Sequence, residues 1–294
     1  MDKLTMTLQN NETLAYQSHH NDKKDVVLMI HGNMSSSVHY APLVTYFKDY
    51  HVLIPDLRGF GDSTYHKPIE SLEDLTDDLM DFLHLLNIKK VHIIGWSTGG
   101  GVGLKFASKY PSHIKTLTLI ESASYKGYPI YTKDENFEPT HELYTDKEAM
   151  ALDPVQVLPA LKAMQEKNVE LMKQIWQAAI YNVQTPDKMT FERNIQETLK
   201  QRNLVDIDWA LMTFNMAKTP NGVAPGDGSI DDIDVPVLSI YGENDLVIPR
   251  YMFEETLTAL KNAKSVVYKT GSHSPITDFP ETLANQIIDF ITSQ

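Results

Sequence analysis

Hydrophobic and polar positions alternate at the start of the chain. Leu4-Thr5-Met6-Thr7-Leu8 and Thr13-Leu14-Ala15-Tyr16-Gln17 flank Asn10-Asn11. A period of two on either side of turn residues predicts an antiparallel hairpin. The pattern then changes. Val26-Val27-Leu28-Met29-Ile30 is a continuous apolar run, which suits a strand buried on both faces. The same signal returns at 52–54, 91–94, 116–120, 235–241 and 265–268. Helical periodicity fills the gaps. Leu72, Leu75, Leu79, Phe82, Leu83 and Leu86 fall on one face of a helix over 72–86, and a second stripe runs from Leu283 to Ile291. Strands alternating with helices predict an α/β fold with a mostly parallel sheet and right-handed crossovers.

The alternation breaks between about Ser124 and Asp232. A stretch rich in Tyr, Pro and charge, Tyr125 to Asp146, reads as a loop. Helical patterns follow at 154–164, 169–181, 191–202 and 205–216, and Pro220 to Gly228 reads as a breaker segment. Both ends of this middle region return to strand patterns. It is therefore read as a helical cap, 124–232, inserted after the sixth strand of a core formed by 1–123 and 233–294.

Candidate chemistry centres on Gly95-Trp96-Ser97-Thr98-Gly99, which has the form G-x-S-x-G. It follows the apolar run at 91–94 and precedes small residues able to start a helix. Strand, sharp turn and helix form the context of a nucleophile elbow, in which the serine sits in a strained conformation at the end of the sheet. The flanking glycines remove side chains that would clash with the crowded backbones.

Together with this elbow, four further segments resemble the α/β-hydrolase-fold serine hydrolases in the order of that family. They are Ile30-His31-Gly32-Asn33, Asp56 to Ser63, Tyr241-Gly242-Glu243-Asn244-Asp245 and Gly271-Ser272-His273-Ser274-Pro275. The resemblance covers nearly the whole chain except the middle insertion. It implies a mostly parallel sheet flanked by helices, with Ser97 as nucleophile, Asp245 as acid and His273 as base, since a serine hydroxyl needs a base and the base an orienting carboxylate. Glu243 and Glu121 are rivals for the acid; some members of the family place it after the sixth strand. His273 is the only histidine in the C-terminal third. His31 reads as a brace for the neighbouring loop. The oxyanion hole is expected at the amide of Thr98 and, by resemblance, that of Asn33, with Met34 as the alternative if the loop is shifted by one. Trp96 and Met34, beside these motifs, are expected substrate-binding residues.

Haloalkane dehalogenases and epoxide hydrolases of this fold use a carboxylate nucleophile, and Ser97 disfavours both. No G-x-G-x-x-G register, Walker lysine, H-E-x-x-H or calcium loop is present. Neither a metal nor a cofactor is expected.

Composition narrows the surroundings rather than the reaction. The chain has 294 residues, no cysteine and a net charge of −13. Disulfides, thiolate catalysis and Cys-ligated metal sites are excluded. The acidic balance argues against nucleic acid or an anionic membrane as partner. Met1 to Gln17 is polar, with no apolar signal-like run, and cytoplasmic location is the expectation.

The expected partner is a small-molecule acyl ester, thioester or lactone. Cap residues Gln201 to Leu211 resemble those of intracellular polyhydroxybutyrate depolymerase-like hydrolases, which would imply short hydroxyacyl esters. Two other readings stand beside the esterase. One is a carbon–carbon bond hydrolase, although Asn33-Met34-Ser35-Ser36-Ser37 matches its glycine-rich oxyanion loop poorly. The other is a hydrolase-fold ligand receptor or stress-signalling protein with slow catalysis. Met150, Leu158, Met164, Met172, Trp176, Tyr181, Trp209, Met212, Phe214 and Met216 are expected chiefly to form the cap's own core.

Overall fold

The structure, a computed structural model, describes residues 3–294; Met1 and Asp2, where the polar N-terminal stretch begins, lie outside the described residues. The strands are β1 (Leu4–Thr7), β2 (Thr13–His19), β3 (Val26–Ile30), β4 (His51–Pro55), β5 (Val91–Trp96), β6 (Ile114–Ile120), β7 (Tyr131–Lys133), β8 (Pro139–Leu143), β9 (Val237–Gly242) and β10 (Ala263–Tyr268). The helices are α1 (Ala41–Val44), α2 (Leu72–Leu85), α3 (Thr98–Lys109), α4 (Lys147–Met150), α5 (Leu158–Gln165), α6 (Val169–Ala179), α7 (Lys188–Thr198), α8 (Leu204–Thr213), α9 (Arg250–Ala259), α10 (Pro275–Asp278) and α11 (Pro280–Thr292).

Eight strands form one sheet in the order β1-β2-β4-β3-β5-β6-β9-β10. Only β2 runs against its neighbours, β1 and β4; the remaining pairs are parallel. The continuous apolar runs are explained by cover on both faces. Along β3, Val26, Leu28 and Ile30 join one core cluster with Leu72, Leu75, Leu79 and Phe82 of α2 and Phe106 of α3. Val27 and Met29 point the other way and join Leu283, Ile287 and Phe290 of α11. Helix α2 starts where Asp74 Oδ2 accepts from the amides of Ser71 and Glu70, at 3.0 and 2.8 Å, satisfying donors that the first turn leaves free.

The middle region departs from expectation in two ways. First, the stretch read as a loop over 125–146 contains a β-hairpin, with β7 and β8 paired antiparallel. Thr132 and Thr140 bond across it through their hydroxyls at 2.6 Å. Neither strand buries a residue, so no apolar alternation marked the ribbon. Second, its apolar residues do not form one core of their own. Met150 and Met212 sit in a small separate cluster with Ile130 and Val157. Met164, Met172, Trp176 and Tyr181 continue the cluster that holds Ile94, Trp96 and Ile287, and Phe214 and Met216 join the opposite one. Helix α7 begins at Lys188 rather than Phe191, because Asp187 Oδ1 accepts from the amides of Met189 and Thr190. No helix among the described residues is long and apolar enough to cross a membrane.

Candidate active site

Ser97 occupies the turn between β5 and α3 with φ 54° and ψ −119°, outside the regions that L-residues ordinarily adopt. Two bonds hold the turn: the Ser97 amide donates to Ile120 O at 2.9 Å, and the Ala123 amide to Ser97 O at 3.1 Å. The glycines are required by close approach. A Cβ on Gly95 would lie 2.3 Å from Gly99 O, and one on Gly99 would lie 2.1 Å from Ile30 O. Gly32 brings the loop after β3 onto the serine itself, since a Cβ there would lie 2.9 Å from Ser97 Cβ.

Asp245 and His273 come from the loops that follow β9 and β10. His273 Nδ1 donates to Asp245 Oδ2 at 2.8 Å, with both side chains buried. The other carboxylate oxygen, Oδ1, accepts from the amides of Val247 at 2.6 Å and Ile248 at 2.9 Å. Burial pushes the Asp245 carboxyl up. The charge and hydrogen bond of His273, with bonds from Glu121 and Ile248, outweigh it and hold the group below its ordinary value. The His273 loop is pinned at both sides: Trp96 Nε1 donates to His273 O at 2.8 Å, and Asp278 Oδ2 takes the amide and hydroxyl of Ser272 at 2.7 and 2.6 Å. With Nδ1 committed to the carboxylate, Nε2 is the nitrogen left for proton transfer.

The rival carboxylates separate cleanly. Glu243 is exposed and pairs with Arg250 at 3.2 Å. Glu121 is buried at the end of β6, and its Oε1 accepts from the Gly242 amide at 2.6 Å. Burial, and then the negative charge and hydrogen bond of Asp245, push its carboxyl well above the ordinary range.

The two oxyanion candidates differ from Met34. Thr98 is the first residue of α3, where an amide has no intrahelical acceptor, and the helix dipole favours negative charge. Among the described residues neither Thr98 N–H nor Asn33 N–H meets an acceptor. The Met34 amide is engaged twice, by Asn33 Oδ1 at 3.0 Å and Gln201 Oε1 at 2.9 Å. Met34 has φ 52° and lies partly buried against the cluster that contains Trp96. Trp96 is 2% exposed, so its indole chiefly braces the His273 loop and packs near Trp176.

His31 braces the same loop. Leu57 N donates to its Nε2 at 3.0 Å, which leaves Nδ1–H to donate to Gly32 O at 2.8 Å. Burial keeps it neutral, with its pKa lowered to about 4.

Sequence reasoning missed the grip of the middle region on this loop. Asn33 Nδ2 donates to Asp208 Oδ1 at 2.8 Å, and Asn33 Oδ1 accepts from Gln201 Nε2 at 2.7 Å. Thr198 Oγ1 donates to Met34 O at 2.6 Å. Asn203 Nδ2 anchors the segment to Arg58 O at 2.8 Å. The polar residues inside Gln201-Arg202-Asn203-Leu204-Val205-Asp206-Ile207-Asp208 were the available signal. Asp208 is buried, and burial above all, with a contribution from Asp153, raises its pKa to about 7 against the opposing bond from Asn33.

The alpha/beta hydrolase fold family model matches residues 25–280. The chain is 23% identical to Lipase 3 of Moraxella sp. over 96% of its own length and 82% of the lipase. It is also 22% identical to a 2-hydroxy-6-oxononadienedioate/2-hydroxy-6-oxononatrienedioate hydrolase of Klebsiella pneumoniae, over 92% of this chain and 88% of that one. An esterase from Exiguobacterium antarcticum superposes with a TM-score of 0.77 at 15% identity, covering 99% of this chain and all of the other, a likeness of fold. The family match across most of the chain, and the strand–elbow–helix frame that carries it, place this protein in the α/β-hydrolase-fold family, as a hydrolase whose relatives include lipases and esterases.

Proposed function

We propose that the protein is a serine hydrolase that cleaves a carboxylic ester, thioester or lactone of a small acyl substrate through an acyl-enzyme on Ser97. The observation that carries this reading is the buried 2.8 Å bond from His273 Nδ1 to Asp245 Oδ2, with the His273 loop bound to Trp96, the residue that precedes the elbow serine. In this reading His273 Nε2 takes the Ser97 proton as Oγ attacks the carbonyl carbon, and Asp245 stabilises the imidazolium that forms. The amides of Asn33 and Thr98 receive the oxyanion. His273 returns the proton to the leaving oxygen or sulfur, and water then repeats the sequence to release the acid. The core is 1–123 with 233–294, and 124–232 acts as the cap that shapes the acyl site.

The test is a panel of p-nitrophenyl esters of graded acyl length, short hydroxyacyl esters included, run to pre-steady state. A burst of p-nitrophenol followed by slower turnover is expected for activated p-nitrophenyl esters, whose acylation outruns deacylation. Folded protein with no turnover of any ester, thioester or lactone would overturn the proposal. The Klebsiella relative supports a second reading, carbon–carbon bond hydrolysis. Turnover of the keto-acid substrate in that relative's name, without ester turnover, would favour it.

A further inference from the structure

The mechanism above leaves Glu121 unused, although it is the most deeply buried carboxyl beside the triad. It stands at the end of β6, is 1% exposed and has φ 44°. Left-handed backbone at a glutamate is disfavoured and persists only where the surroundings over-determine it. Here the Glu121 amide donates to Ile240 O at 3.0 Å, and its Oε1 takes the Gly242 amide at 2.6 Å. Both bonds tie the end of β6 to β9, the strand that leads to Asp245.

The second oxygen, Oε2, is buried and meets no N–H or hydroxyl donor among the described residues. The Asp245 carboxyl faces it as a negative neighbour, three residues beyond the Gly242 amide that Oε1 holds. Two ionised carboxylates side by side in a buried site repel, and Oε2 has no donor to hold a charge, so one proton between them relieves both costs. The surrounding donors decide where. Asp245 already receives His273 Nδ1–H and the amides of Val247 and Ile248. Glu121 receives one amide, that of Gly242, and makes no ion pair among the described residues. The negative charge therefore settles on Asp245 and the proton on Glu121. The other titratable groups facing the pair are Asp278 on α10, Tyr241 on β9 and Tyr128, and none of them is a cation that would hold Glu121 ionised.

We propose that Glu121 is a neutral carboxylic acid whose O–H donates to the Asp245 carboxylate, making it the positioning residue that fixes the acid against His273. Asp245 then has all its acceptor directions filled by fixed donors, and it presents one oxygen to His273 Nδ1. The inference rests on the triad reading of the preceding subsection, and its test has an arm that does not use turnover.

That arm is the protonation state itself. In protein labelled with carboxyl-13C glutamate, the resonance missing from Glu121→Gln should keep its neutral-acid shift at pH values where the other glutamates have ionised. Titration in the ordinary glutamate range would overturn the proposal, whether or not an ester is hydrolysed. The second arm is kinetic. Glu121→Leu removes the donor and should lower kcat about 10–100-fold with KM nearly unchanged, because positioning acts on the chemical step. It should also shift the low-field proton resonance of the His273–Asp245 bond. Glu121→Gln retains an N–H for Asp245 and an acceptor for Gly242, so it should recover most of the lost kcat and the resonance. A loss in Glu121→Gln as large as that in Asp245→Asn would mean that Glu121 works ionised, as the acid. An unmoved kcat and resonance in Glu121→Leu would reduce it to packing. Should Glu121→Leu fail to fold, the 13C titration and Glu121→Gln still decide.

Discussion

Replacing Asp208 by asparagine should stabilise the protein, and more so as pH rises. Asp208 is buried and, among the described residues, has one protein donor, Asn33 Nδ2 at 2.8 Å. Its pKa is about 7 in the folded protein against 3.8 for the free side chain. Between these values the folded state holds the proton more tightly than the unfolded chain does. Stability therefore falls as pH rises from about 4 through about 7, then levels off. The full penalty on wild type is about 4 kcal/mol above that window and about 2 kcal/mol near pH 5. Asparagine carries no charge and keeps an acceptor for Asn33. Its amide hydrogens can cost about 1–3 kcal/mol if they find no partner, but that cost does not change with pH. The pH-dependent part, about 2 kcal/mol gained by the variant between pH 5 and pH 8.5, is thus the clean signal. Paired urea unfolding curves of both proteins at these pH values measure it, since all other groups titrate alike in the two. A stability difference that stays constant across the range would refute the claim that burial raises the Asp208 pKa.

Other perturbations test other parts of the site. Asp245→Asn should lower kcat about 10³–10⁴-fold in an ester assay while leaving the fold intact, because His273 survives but loses its orienting carboxylate. Gly32→Ala places a methyl 2.9 Å from Ser97 Cβ, and the displaced nucleophile should cost about 10–100-fold in kcat with little change in the unfolding midpoint. Away from the site, Arg58 Nε bonds Asp78 Oδ2 at 2.7 Å with both side chains buried. Asp78→Ala should destabilise the protein by about 3–5 kcal/mol in denaturant titration, since it strands a buried guanidinium.

The elements most legible in the sequence were those with apolar cover on a regular period. The runs at 26–30 and 91–94 are strands because both faces are packed, and the stripe from Leu72 to Phe82 buries its whole face. The elbow was legible because its backbone conformation demands particular residues at particular offsets, with Gly95 packed on the Gly99 backbone and Gly99 on that of Ile30. The hairpin β7–β8 was illegible because it buries nothing. The bonds from Asp208, Gln201 and Thr198 to the loop at 33–34 were illegible for a different reason. They join polar side chains to side-chain and backbone groups about 165–175 positions away, and no local period records such a pairing. Glu121 lay between these cases. Its place at a strand end marked it as a rival acid, but only the donors around Asp245 assign it the proton.

The central claim is that Ser97 is a nucleophile activated within this fold. Its most direct test is intact-mass and peptide analysis after exposure to a fluorophosphonate. The account predicts one covalent adduct, mapped to Ser97, abolished in Ser97→Ala and slowed at least about 10³-fold in His273→Ala, where the base is gone. Folded protein that remains unlabelled, or an adduct that persists in Ser97→Ala, would contradict it.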